Sequence, residues 1–133
     1  MRKKILTPLV LMLGIIACLL CCFIRRPYKH LSPSDVLSAS VHLSPPDKTV
    51  LVTDVSDLVA CLQDVVVFHK DNSYTEYVGQ AVTFTMDMKN GAQEVITAYN
   101  PFVIINGTGY RTIYGPCEKL NNFGNRLLHD GEG

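Results

Sequence analysis

An almost unbroken apolar run, ILTPLVLMLGIIACLLCCFI at residues 5–24, stands apart from the rest of the chain, where apolar and polar positions intersperse. Its twenty residues match the thickness of a bilayer's hydrocarbon core, so the pattern predicts a transmembrane helix. A cleavable signal needs an apolar core of only roughly 7–15 residues with a small-x-small exit, and the run fits that less well. The expected order is a basic N-terminus (1–4), a transmembrane anchor or signal segment (5–24), a Pro-containing tether (25–34), one folded domain (35–129) and a short tail (130–133).

Beyond the tether the period changes to two. In DVLSASVHLS, Leu37, Ala39, Val41 and Leu43 share one face and Ser38, Ser40 and His42 the other, the signature of a half-buried strand. PPDK at 45–48 turns the chain, and TVLVT returns it. Asp54 then has the chemistry of an N-cap, and Val55, Leu58, Val59 and Leu62 fall on one helical face. The β-branched run VVVFHK predicts another strand, and DNSYTEYVGQ at 71–80 a polar loop. Asn90-Gly91 between two alternating runs predicts a type I′ hairpin with Val82, Phe84, Met86 and Met88 on one face. A second hairpin is expected from FVIING to YRTIY through an Asn-Gly-Thr-Gly turn after the pairing-limiting Pro101. GPCEKLNNFGNRLL closes as a helix, with Pro116 in its first turn and a stripe of Leu120, Phe123 and Leu127. The expected fold is therefore α+β: a small, mostly antiparallel sheet with two helices packed on one face, preceded by an N-terminal transmembrane helix.

Charge alters this picture only when divided at the boundary. The whole chain is neutral, but Arg2, Lys3, Lys4, Arg25, Arg26 and Lys29 flank the apolar run, leaving six bases against twelve acids after residue 30. An acidic domain makes nucleic acid an unsuitable partner, while the flanking bases suit lipid phosphates. Three bases on each side nearly tie the rule that sets orientation; the short basic N-terminus favours an extracytoplasmic domain. Ile15-Ile16-Ala17-Cys18 offers an alternative, a lipobox with Cys18 as lipidation candidate, although the residues after Cys18 stay apolar where a polar tether is usual.

Candidate chemistry is sparse. The four histidines lie on separate elements without ligand spacing, His69 with Asp71 is a weak pair, and no metal or other cofactor is expected. Asn106-Gly107-Thr108 fits a glycosylation sequon, but it falls at a hairpin tip that needs Asn and Gly for backbone reasons. Cys117 near a helix N-terminus is the reactive-thiol candidate, set against Glu118 beside it and against a structural, buried role. Cys61 is its one possible disulfide partner in the domain. Tyr74, Tyr77, Tyr99, Tyr110 and Tyr114 crowd the second half and form the candidate binding surface.

The segments PPDKTV, YTEYVGQ and NPFVIINGTGY…PCEKLN, with the apolar N-terminus, give the chain a likeness. It resembles a family of small extracytoplasmic domains of Gram-positive bacteria, the domain of unknown function numbered 5301. The resemblance implies a bacterial membrane-attached or exported protein, and it carries no catalytic residues to transfer. The expectation is a non-enzymatic binding or interaction module at the cell envelope, held in the membrane by residues 5–24, with an unknown protein or envelope ligand as partner. The rivals are a thiol-based redox protein or enzyme using Cys117 and a structural or regulatory subunit of a membrane complex.

Overall fold

The computed structural model describes residues 2–132, with side chains described for 7–17 and 24–131. Helix α1 (Arg2–Phe23) occupies the predicted apolar run. Leu9, Val10, Leu11, Met12 and Leu13 follow one another around its described stretch and are all exposed, so the domain covers no side of the helix there. Among the described residues no helix is long and apolar enough to cross a membrane; the described side chains span only the middle of α1. The side chains of Ile5, Leu6 and residues 18–23, including the lipidation candidate Cys18, lie outside the described residues. The structure thus supports a helix at this place and does not by itself support a span.

The domain is α+β. Its strands are β1 (Val36–Ser44), β2 (Lys48–Leu51), β3 (Val67–Lys70), β4 (Ala81–Met88), β5 (Gln93–Tyr99), β6 (Phe102–Ile105) and β7 (Thr108–Thr112), and its helices α2 (Val55–Gln63) and α3 (Tyr114–Glu132). One sheet of order β2-β1-β4-β5-β6-β7-β3 is antiparallel at every pairing. The inward faces of β1, β4 and β5 supply Val41, Leu43, Val82, Phe84, Met86 and Ile96, all with no exposure, and α2 and α3 cover them with Leu58, Val59, Leu62 and Leu120. Each such side chain contributes roughly 1.5–3 kcal/mol by leaving water. Asp54 caps α2 by accepting the Asp57 N–H at 3.1 Å, as its position implied.

Four expectations change. Leu37 is exposed and Val36 takes its place in the core, because a register shift between Val36 and Ser38 inserts an extra residue opposite β4. The two Asn-Gly pairs make different turns. At Asn90-Gly91 only Gly91 has positive φ, and the Gly91 N–H returns to the Met88 carbonyl, giving a three-residue loop. Asn106 (φ 49°) and Gly107 (φ 89°) are both left-handed, so the type I′ turn is here, with Thr108 and Gly109 already in β7. The last helix extends to Glu132 and takes in most of the expected tail.

The largest change concerns residues 25–34. Arg25 and Val67 exchange backbone hydrogen bonds of 3.0 and 2.8 Å on the free edge of β3, and Tyr28 enters the core at 7% exposure. The Tyr28 hydroxyl donates to Glu94 Oε2 at 3.0 Å; burial, and then Glu94, push its pKa well above the ordinary range, so it stays a donor. The Arg26 guanidinium donates to the Gln63 carbonyl at the end of α2, and Arg25 lies over the Tyr110 ring at 5.7 Å. Two bases assigned to lipid phosphates are therefore engaged with the domain, and the stretch read as a tether is packed against it. Tyr28→Phe is expected to lower unfolding free energy by about 1 kcal/mol, read by chemical denaturation. Unchanged stability would mean that residues 25–34 do not hold this position in solution.

Candidate functional site

Because β3 is an edge strand and β4 is central, the chain between them must cross β7, β6 and β5. It does so over the sheet face that the helices leave open. Residues 71–80, the expected polar loop, form a strap fastened at both ends and in the middle. At its start the Asp71 N–H donates to the Gly109 carbonyl at 2.9 Å, and the Gly109 N–H donates to Asn72 Oδ1 at 2.8 Å. The Asp71 carboxylate accepts from the Ser73 N–H at 3.0 Å and from Arg111 Nε at 2.8 Å, and these bonds hold its pKa well below the usual carboxylate range. At mid-strap the Tyr99 hydroxyl donates to the Tyr77 carbonyl at 2.6 Å. At its end Gln80 exchanges amide hydrogen bonds with Asn125 of α3.

Beneath the strap lie Phe102, with no exposure, and Ile104, 9% exposed, both on the face turned away from the helices. Tyr74 and Tyr77 meet the Phe102 ring edge-on at centroid distances of 6.2 and 5.1 Å, and the Arg111 guanidinium covers it at 4.5 Å. The outward face of β4 and β5 is mixed, with Thr83, Thr85 and Thr97 beside Asp87 and Val95, and the strap lands on the apolar Phe102 of β6.

Beside the strap a concavity of about 380 Å³ is lined by Tyr74, Thr75, Tyr77, Ala81, Thr83, Thr97, Tyr99 and Ile104. No charged side chain lines it. The Thr83 and Thr97 hydroxyls, opposite each other in the β4–β5 register, bond at 2.9 Å across its floor. Three of the five tyrosines predicted as a binding surface come together here, from the strap and from β5, and two do not. Tyr110 pairs with Val103, whose side chain is in the core, and directly opposite residues share a face; it packs on the helix side beneath Arg25. Tyr114 begins α3 and is 63% exposed, away from the concavity. Thr83, Thr97, Ile104 and Phe102 were missed. Their signal was present in the outward positions of alternating strands, but nothing local marks which outward face a distant strap will cross.

The other candidates separate. Both Asp71 carboxylate oxygens are engaged by Ser73 and Arg111 and not by His69, with which Asp71 made only a weak candidate pair, and among the described residues no group of three or more His, Cys, Asp or Glu is placed to hold a metal. Asn106 uses its side-chain amide to accept from the Val95 N–H and donate to Glu94, completing its turn. A second groove, of about 620 Å³, carries Lys119, Arg126 and His129 beside Cys61.

Cys61 and Cys117 are free thiols. Cys117 continues the buried stripe of Leu120 and Phe123, has no exposure, and donates to the Phe102 carbonyl at 3.5 Å. Burial pushes its thiol up to about 12, opposed by a backbone hydrogen bond from Tyr99 and reinforced by the Glu118 charge. At neutral pH the sulfur is protonated and out of reach, conditions that leave a cysteine inert. Treated with iodoacetamide at pH 8 and mapped by peptide mass, the native chain is expected to carry label on the half-buried Cys61 well before Cys117, and guanidinium to release Cys117. Rapid native labelling of Cys117 would contradict this.

The fold and its face define a small α+β domain with helices on one side of an antiparallel sheet and a chain strap on the other. No protein-family model matches the chain, and comparison with curated proteins and with solved structures finds no significant relative.

Proposed function

We propose that this chain is a membrane-anchored binding module of a bacterial envelope, with its domain on the extracytoplasmic side. The observation that carries the binding reading is the charge-free concavity beside the strap, where Tyr74, Tyr77 and Tyr99 stand around the Thr83–Thr97 pair. Sites of this kind are concave and mostly apolar, with a few convergent polar groups. The anchor is supported by the apolar continuity of residues 5–24 and by the exposure of the consecutive apolar side chains at 9–13 around the described stretch of α1, which water disfavours and lipid accepts. The short basic N-terminus ahead of the apolar run favours the extracytoplasmic side for the domain. The thiol-based alternative has a buried, protonated Cys117 against it.

The anchor is tested by expressing the full chain in a Gram-positive host. It should resist carbonate extraction from membranes, a chain lacking residues 1–23 should leave the membrane fraction, and protease added to intact protoplasts should cleave the domain. Carbonate-soluble full-length protein, or a domain protected until lysis, would refute the anchor or its orientation respectively.

A further inference from the structure

The concavity also specifies the chemistry of what fits it, an argument that rests on the binding reading above. Charge is the first constraint. No cation or carboxylate lines the cavity; the Arg111 guanidinium, which reaches the hydroxyl of the wall residue Tyr77, is already paired with Asp71 at 2.8 Å and stacked on Phe102. A charged ligand would leave water there without a counter-charge, and an anion would also meet a net-acidic domain, with nine bases against twelve acids over residues 25–133. The occupant is uncharged.

Hydrogen-bonding capacity is the second constraint. Two threonine hydroxyls hold two donors and four acceptor positions. The Thr83–Thr97 bond uses one of each, leaving three acceptors for one donor. Tyr99 has already given its proton to the Tyr77 carbonyl, so its oxygen too only accepts. The Tyr74 and Tyr77 hydroxyls keep donors of their own, so the lining offers both kinds of group with acceptors in excess, and it suits a ligand that carries neutral donors and acceptors together. A proline-rich segment, the usual guest of aromatic-lined grooves, brings carbonyls for the tyrosine donors but lacks the N–H groups to meet the acceptors left in excess.

Shape is the third constraint. The rings of Tyr74, Tyr77 and Tyr99 and the Ile104 side chain offer flat apolar walls around that acceptor floor, and about 380 Å³ lies at the small end of ligand sites, which run roughly 300–1,000 Å³. A pyranose ring presents a C–H face to aromatic walls and hydroxyl donors at its rim. We infer that the concavity between the strap and β4–β5 binds one or two units of a neutral saccharide.

The test uses the full chain in a detergent without a sugar head group. It is applied to an array of neutral glucans, galactans, mannans and N-acetylhexosamine oligomers, with proline-rich and acidic peptides alongside. The expected result is binding of a neutral glycan that weakens about tenfold in Tyr77→Ala and comparably in Thr97→Val, each loss equivalent to one stacked face or hydrogen bond. Thr97→Val keeps side-chain volume within the sheet, so it reads the site even where Tyr77→Ala disturbs the strap. Glycan binding that survives both variants overturns the assignment of the site. Peptide binding lost in Tyr77→Ala, with no glycan bound, overturns the saccharide while the binding module stands. An array with neither glycan nor peptide bound overturns both.

Discussion

Replacing Gly109 by alanine is expected to lift the strap off the sheet and to lower the thermal midpoint by on the order of 10 °C. A Cβ at Gly109 would run into the Asp71 carbonyl oxygen and come within 2.7 and 2.9 Å of the Tyr74 ring. The carbonyl is backbone, and its residue is tied to the same glycine through the Asp71 N–H, so it cannot swing aside as a flexible side chain would. Overpacking of this kind costs about 1–3 kcal/mol. Relief by raising the strap uncovers Phe102, whose burial is worth roughly 1.5–3 kcal/mol, so neither response is cheap. Gly109 does not share the left-handed backbone of Gly107, and glycine in a strand is otherwise a weak choice, so alanine would normally be tolerated or mildly favourable here. The sign of the effect therefore isolates the collision. Limited proteolysis gives a second reading: cleavage within 71–80 should accelerate while the helix-side core stays protected. A Gly109→Ala chain with unchanged midpoint and an intact strap would show that the strap does not rest on β7.

Gly124→Val in α3 is expected to destabilise the domain by about 3 kcal/mol. Even the first added carbon would sit 2.5 Å from Val82 Cγ1 and 3.3 Å from Val41 Cγ2, with Phe84 at 3.6 Å. All three neighbours are fully buried in the middle of the sheet, so the helix must rise or the core must repack. Removing a helical glycine gains back at most about 1 kcal/mol, smaller than the overlap it creates. Gly115→Ala, in the same helix with nothing within 4 Å, has the propensity gain without the overlap and should be neutral or slightly stabilising. Val82→Ala combined with Gly124→Val should recover part of the loss, and urea unfolding of the parent, the two single variants and the double variant measures the coupling. Equal effects at positions 115 and 124 would sink the close-packing argument.

Local pattern carried much of the fold. Val82, Phe84 and Met86, the α2 face of Leu58, Val59 and Leu62, the Asp54 cap and the α3 stripe are all where alternation, helical spacing and capping chemistry put them. These signals are local, since each depends on which side of its own strand or helix a residue occupies. The errors share a different cause. Leu37 left the core through a bulge opposite β4, Tyr28 entered it through contacts with β5 and β3, and the two Asn-Gly pairs adopted different turns because their flanking strands pair differently. Each was decided by a partner distant in sequence or by register.

The candidate site divides in the same way. That tyrosines mattered in the second half of the chain was legible; which of them meet was not. Tyr99 and Tyr110 fall on opposite sheet faces by the parity of the β5–β6–β7 pairing, and Tyr74 and Tyr77 reach Tyr99 only because β3 joins the far edge at β7. The sequence by itself determined the elements, the apolar N-terminal run and the inward face of most strands, because short-range periodicity and turn chemistry carry that information. Only the tertiary structure decided that residues 71–80 must cross the open face, that Gly109 must lack a side chain beneath them, and that an uncharged hollow results, because strand order arises from pairings between segments that carry no local mark of one another.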